Sequence, residues 1–444
     1  MVSVRSQRVE PVETPVRRLI STSSIRRAGP IRGRRSIRGL GAIAGLVVLS
    51  LFVGAAPAHA DSIRDREYWL DAYSIRQAWN TTTGAGVTIA VIDTGVDGSH
   101  IDLAGAVVGG TDFSGSGAAN GQKPVGANSP NHGTMVASLA AGRGHGSGAG
   151  IIGAAPGASI LAISVGFADA DSDQQLADAV RWAVDNGADV INMSLTRNTL
   201  DWPESWDDAF LYAAENDVVV VAAAGNRGSG TAVVGAPATM PGVLTVAGLD
   251  RNGSASWDAS SQGITIGVSA PSEQLVGAVP GDGYVLWDGT SGATPLVAGV
   301  AALVRAAHPD LDAANVINRI VATAKPAGDP GPDPLYGYGI LDAKEAVTAS
   351  VPVVDANPLG DLADWVTLHR RGDAPAMTPL GGFTPPAIAT PVAPDDGVTG
   401  VLLPSIPQLR DVGVPLALFA GFLIAFGVLV VSFVRWVRRA RNPE

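Results

Sequence analysis

The chain has 444 residues, 46% of them hydrophobic, and no cysteine. It is long enough for one core domain of about 250 to 300 residues plus appendages, and the lack of cysteine excludes disulfides, thiol chemistry and a cysteine-based zinc site. The net charge of −11 is segregated: residues 1–60 hold 10 basic and 2 acidic residues, residues 435–444 hold 4 and 1, and residues 61–434 are left with 16 basic against 38 acidic.

Along the chain, the basic stretch ends at Arg38, an apolar run covers 39–57, and Ala58-His59-Ala60 follows. This pattern predicts an export signal over 1–60, cleaved after Ala60. Arg34-Arg35 also admits a twin-arginine route, and an uncleaved run is long enough to stay as an anchor. All of these place the body outside the cytoplasm. The adjoining apolar run argues for a bilayer, and against nucleic acid, as the partner of the arginines.

The body alternates strand-like and helix-like segments. Residues 87–92, 161–165, 190–193 and 218–222 are short apolar runs of the kind buried on both faces of a parallel sheet. Leu176, Ala179, Val180, Ala183 and Val184 follow helical spacing before Gly187, and Trp206, Phe210, Ala213 and Ala214 suggest a second helix. Such βαβ alternation predicts a three-layer α/β fold with a mostly parallel central sheet. Functional groups in such sheets gather at the carboxyl ends of the strands.

Three islands carry chemistry: Asp93 in Val-Ile-Asp-Thr-Gly-Val (91–96), His132 in Asn-His-Gly-Thr (131–134), and Ser291 in Asp-Gly-Thr-Ser-Gly-Ala-Thr-Pro (288–295). A serine becomes a competent nucleophile when an imidazole takes its proton, and a carboxylate on the far ring nitrogen fixes the tautomer and stabilises the imidazolium. A fourth island, Ala-Ala-Ala-Gly-Asn (222–226), offers the Asn226 amide to an oxyanion. His132 and Ser291 each sit where a helix is predicted to begin, so that backbone N–H groups and the helix dipole point at the developing charge. Asp-Thr-Gly alone would suit an aspartic peptidase, but the second such motif needed for a dyad is missing. Asp169, Asp171 and Asp173 start like a calcium loop, yet Gln174 and Val180 occupy its sixth and twelfth positions. His100, His145, His308 and His369 read as structural or solvated.

These islands resemble the motifs of the subtilases, the subtilisin-like serine peptidases. Asn192-Met193-Ser194-Leu195 resembles the family's substrate-pairing strand, and Tyr336-Gly337-Tyr338-Gly339-Ile340-Leu341-Asp342-Ala343 its closing segment. The resemblance implies a protein or peptide substrate, catalysis by Asp93, His132 and Ser291, an oxyanion hole at Asn226, and substrate contacts at Ser194 and Leu195. It implies no cofactor, and structural calcium at ligands that the sequence does not single out. Gly292 departs from the bulky residue that usually follows the nucleophile, and Thr196 stands where glycine is common.

Past a peptidase domain of 61–350 with a short N-terminal extension and no large inhibitory prodomain, residues 351–410 contain ten prolines and are expected to be an extended linker. Residues 411–434 hold an uncharged apolar run, 412–434, followed by Arg435, Arg438, Arg439 and Arg441. This predicts one transmembrane helix and a cytoplasmic basic tail, 435–444. The whole plan resembles the mycosins, membrane-anchored peptidases of type VII secretion, although mycosins generally carry disulfides. A catalytically silent subtilase-like scaffold stabilising a membrane secretion complex is the alternative reading.

Overall fold

Apolar residues fill both faces of the central strands because both faces are covered by helices. The computed structural model describes residues 62–126, 129–166 and 172–370; the expected signal, transmembrane helix and basic tail lie outside them. Its strands are β1 (Thr88–Asp93), β2 (Val107–Asp112), β3 (Arg143–His145), β4 (Ala149–Ile152), β5 (Ser159–Ser164), β6 (Val190–Met193), β7 (Val219–Ala223), β8 (Leu244–Leu249), β9 (Ile266–Pro271), β10 (Leu275–Val279) and β11 (Gly283–Trp287). Seven of them form one parallel sheet in the order β2-β5-β1-β6-β7-β8-β9, while β3 with β4 and β10 with β11 make antiparallel pairs.

The helices are α1 (Trp69–Ala72), α2 (Ile75–Ala78), α3 (His132–Ala141), α4 (Ser172–Asp185), α5 (Glu204–Glu215), α6 (Thr290–Ala307), α7 (Ala313–Ala322), α8 (Ala343–Thr348) and α9 (Leu362–His369). Alternate side chains of a strand point to opposite faces. Ile89, Val91, Val219 and Val221 accordingly enter one core with α3 and α6, and Ala90, Ile92, Val220 and Ala222 enter the other with α4 and α5. This is the three-layer architecture expected from the alternating pattern. The order places β5 and β6 on either side of β1, which is a topological switch point at the carboxyl end that carries Asp93.

The N-terminal extension packs into the first core through Trp69, Leu70 and Ile75, all fully buried. Arg64 Nε donates to the Gly150 carbonyl and Trp79 Nε1 to the Ala154 carbonyl. Among the described residues one helix is long and apolar enough to cross a membrane, and it is α6, the buried core helix. It is not the segment expected to span.

Part of the segment expected to be an extended linker is folded. Between Pro358 and Pro375 there is no proline, and Asp361 caps α9 by accepting the Asp364 N–H at 3.0 Å. Leu362 and Val366 join the second core, and Arg370 pairs with Asp207 of α5 at 2.9 Å. Proline content governs where helix is forbidden; the gap in it let a capped, amphipathic turn dock.

Candidate active site

Asp93 is the last residue of β1 and is fully buried. Its Oδ1 accepts the Thr94 N–H at 2.7 Å, and both carboxylate oxygens lie 2.9 Å from His132 Nδ1. Thr94 explains the middle letter of Asp-Thr-Gly: its Oγ1 accepts the Gly133 N–H at 2.9 Å and donates to the Pro130 carbonyl at 3.2 Å, fastening the end of β1 to the start of α3. Thr134 adds a second tie by accepting the Asp97 N–H at 2.9 Å. Gly133 is glycine because a Cβ there would strike the Gly95 carbonyl. These ties fix the backbone on either side of His132.

Burial pulls the His132 pKa down, and the adjacent Asp93 charge and hydrogen bond pull it up by more, so the imidazole titrates above its ordinary value. A carboxylate on Nδ1 selects the tautomer with a proton on that nitrogen. Nε2 is left as the basic lone pair.

Ser291 is the second residue of α6, so its N–H has no carbonyl one turn back within the helix. Gly289 at φ 146° turns the chain into that helix, in a conformation that disfavours any side chain. Asn226 lies just beyond the carboxyl end of β7. Its Oδ1 accepts both the Thr290 N–H, at 2.8 Å, and the Thr290 hydroxyl, at 2.9 Å. With its oxygen held this way, Nδ2 has no protein acceptor among the described residues and is the donor left for a ligand. Thr290 Oγ1 also accepts the Gly225 N–H at 3.2 Å. The threonine of Gly-Thr-Ser thus orients the amide of Gly-Asn.

Pro295 gives the serine motif a further meaning. It stands four residues after Ser291 and has no N–H, so the Ser291 carbonyl lacks its helical partner. Ser194 Oγ supplies one, donating at 2.9 Å, and receives in turn the Asn192 Nδ2–H at 3.0 Å. The Ser291 hydroxyl donates back to the Ser194 carbonyl at 3.1 Å. Among the described residues no hydrogen bond joins His132 to Ser291; the structure brings Asp93 to His132, and Ser291 to Ser194. Beside Ser194, Leu195 and Thr196 line a cavity of about 310 Å³ together with Val165, Leu176, Arg197 and Trp206.

His100, His145 and His308 serve structure. His100 is fully buried between the Asp102 N–H and the Gly283 carbonyl, His145 Nδ1 lies 2.6 Å from Asp102, and His308 Nε2 lies 2.7 Å from the Val347 carbonyl. Asp173 pairs with Arg197 at 2.5 Å. Among the described residues no group of three or more histidine, aspartate or glutamate side chains is arranged to hold a metal ion. Thr94, Thr134, Thr290 and Pro295 have roles that the motifs alone do not reveal. The signal is their place within four residues of Asp93, His132 and Ser291, and their tasks depend on the contacts that the sheet order creates.

A parallel sheet whose carboxyl edge gathers a buried carboxylate, an imidazole, a serine at a helix start and a side-chain amide has the composition of a serine hydrolase. Residues 84–339 match the subtilase family, Peptidase_S8. Thermitase of Thermoactinomyces vulgaris is 37% identical over 285 residues, 64% of this chain and 94% of thermitase. The solved structure of MycP1 from Mycobacterium smegmatis matches with a TM-score of 0.55 at 33% identity, covering 67% of this chain and 88% of MycP1. The MycP3 protease from the type VII (ESX-3) secretion system matches with a TM-score of 0.54 at 32% identity, over 64% and 88%. The chain belongs to the subtilase family of serine endopeptidases and has mycosins among its structural neighbours.

Proposed function

We propose that this subtilase is a membrane-anchored, extracytoplasmic endopeptidase that hydrolyses peptide bonds through an acyl-enzyme, with Asp93, His132 and Ser291 as its triad. The observation that carries the proposal is the double approach of the buried Asp93 carboxylate to His132 Nδ1 at 2.9 Å, which commits Nε2 to the role of base. When peptide enters, the Ser291 hydroxyl leaves the Ser194 carbonyl, passes its proton to His132 Nε2 and attacks the scissile carbonyl. Asn226 Nδ2 and the Ser291 N–H receive the oxyanion. His132 then protonates the leaving amine, and water, activated by the same imidazole, releases the acyl group. Ser194 and Leu195 take the substrate backbone and side chain on the acyl side.

Anchoring rests on the uncharged run 412–434 with arginines behind it. Association with a type VII secretion complex rests on the likeness to MycP1 and MycP3. Calcium, if bound, would serve stability. A fluorophosphonate probe should label the full-length protein in detergent and leave Ser291→Ala unlabelled; equal labelling of both would end the case for Ser291. The second reading, a silent scaffold, draws on the Ser291 hydroxyl being engaged by Ser194, and it predicts no labelling of either protein. Protease protection of a C-terminal tag on intact cells tests the orientation, with cleavage from outside as the contrary result.

A further inference from the structure

Gly292 and Trp287 explain one another. The indole of Trp287, at the end of β11, lies edge-on to the His132 ring, with centroids 5.7 Å apart and planes at 76°. A Cβ on Gly292 would come within 3.2 Å of Trp287 Cζ2 and 3.3 Å of Cη2, besides striking Leu275. On the other side, a Cβ on Gly277 of β10 would come within 2.8 Å of Trp287 Nε1 and 2.9 Å of Met135 Cβ. Two glycines therefore cut a slot for one indole. The slot is braced on the helix that bears His132, since the Ala278 N–H of β10 donates to Ser138 Oγ of α3 at 3.1 Å. Trp287 Nε1 is buried there without a hydrogen-bond partner, an arrangement that buried indoles ordinarily avoid.

We infer that Trp287 is a positioning residue that holds the His132 imidazole, and that Gly292 leaves room both for Leu275 and for this indole. The inference rests on His132 being the general base. Asp93 holds the imidazole at Nδ1, on the side away from Nε2, and no hydrogen bond among the described residues holds the Nε2 edge. The indole packs against the ring from the β11 side and restricts its rotation about Cβ–Cγ. A misplacement of a reacting group by about 1 Å costs on the order of a hundredfold in rate, so one wall is worth a buried, unpaired N–H.

The test uses full-length protein in detergent, labelled at histidine, of which there are six. In the native protein the His132 Cε1 proton should be displaced by the indole ring current, and Trp287→Leu should move that resonance while the other histidines stay in place, which reports an intact fold. Trp287→Leu should lower kcat by about tenfold to a hundredfold with KM changed less than about twofold, and Trp287→Phe should recover most of kcat. Gly292→Ala should lower kcat in the native background and cost less in Trp287→Leu, where its contact with Leu275 remains and its contact with the indole is gone. An unmoved His132 resonance in Trp287→Leu, or a loss confined to KM, overturns the inference. If the native protein itself neither cleaves peptide nor takes the probe, the proposed function fails, and the His132 resonance still decides this one.

Discussion

The two halves of the site are built to different standards. On the acid–base side, Asp93, Thr94, Gly133 and Thr134 lock the end of β1 to the start of α3, and the Asp93–His132 contact is already made. On the nucleophile side the backbone is held as firmly, by Thr290 on Asn226 and by Ser194 on the Ser291 carbonyl. The reacting hydroxyl is nevertheless turned to the Ser194 carbonyl. On the roles proposed above, the difference teaches that preorganisation covers the base, the oxyanion donors and the strand, and leaves the serine hydroxyl for substrate to turn. The parked hydroxyl is satisfied by the Ser194 carbonyl.

The sharpest way to break this picture is to remove one member from each half. Ser291→Ala should reduce kcat by roughly 10⁶-fold and Asp93→Asn by roughly 10⁴-fold, the sizes that such triads show when a nucleophile or its orienting carboxylate is lost. Equal kinetics in Asp93→Asn and the native enzyme would mean that the made contact has no catalytic weight. Asn226→Ala should lower kcat by about a hundredfold to a thousandfold with little change in KM, and unchanged turnover would remove Asn226 from the oxyanion hole.

A gentler comparison uses pH. Because Asp93 raises the His132 pKa over the opposing effect of burial, kcat/KM should fall on the acid side with a midpoint above about 6.5, the ordinary imidazole value. For stability the sign is that of a group raised on folding: the favourable contribution is complete below the unfolded value and is lost as pH rises through the folded one. An acid limb below the ordinary value would show that burial dominates instead. The smallest effect concerns the support behind the acid–base side. Glu67, in the N-terminal extension, accepts the Ile152 N–H at 2.8 Å, and burial pushes its pKa up to about 8 against the pull of Arg64. Its contribution to stability is complete below about 4.5 and is lost as pH rises through about 8. Glu67→Gln keeps the acceptor without the charge, so its Tm should exceed that of the native protein by a few degrees above pH 8 and match it near pH 4. A constant difference across that window would show that Glu67 does not titrate there.

Much of this molecule was legible before folding. The apolar runs at 87–92, 161–165, 190–193 and 218–222 became β1, β5, β6 and β7 because a strand covered on both faces must be apolar throughout. His132 and Ser291 were readable as helix starts and fall at the beginnings of α3 and α6. The docked helix α9 was not legible, because a high average of proline concealed a gap between Pro358 and Pro375 that only a waiting surface on α5 could use. Ser194 was read for substrate alone; its hold on the Ser291 carbonyl depends on a bond that Pro295 leaves unmade.

What the sequence determined alone is chemistry and local geometry: which side chains carry protons and charge, where helices begin, where glycine or proline must stand, and that both faces of the sheet are covered. Only the tertiary structure decided which of these meet. The order β2-β5-β1-β6-β7-β8-β9 brings residues separated by up to 198 positions, Asp93 to Ser291, to one sheet edge. The β10–β11 pair carries Trp287 onto His132. Such meetings depend on distances between strands and on rotamers chosen by neighbours, and neither is written in the spacing of residues along a chain.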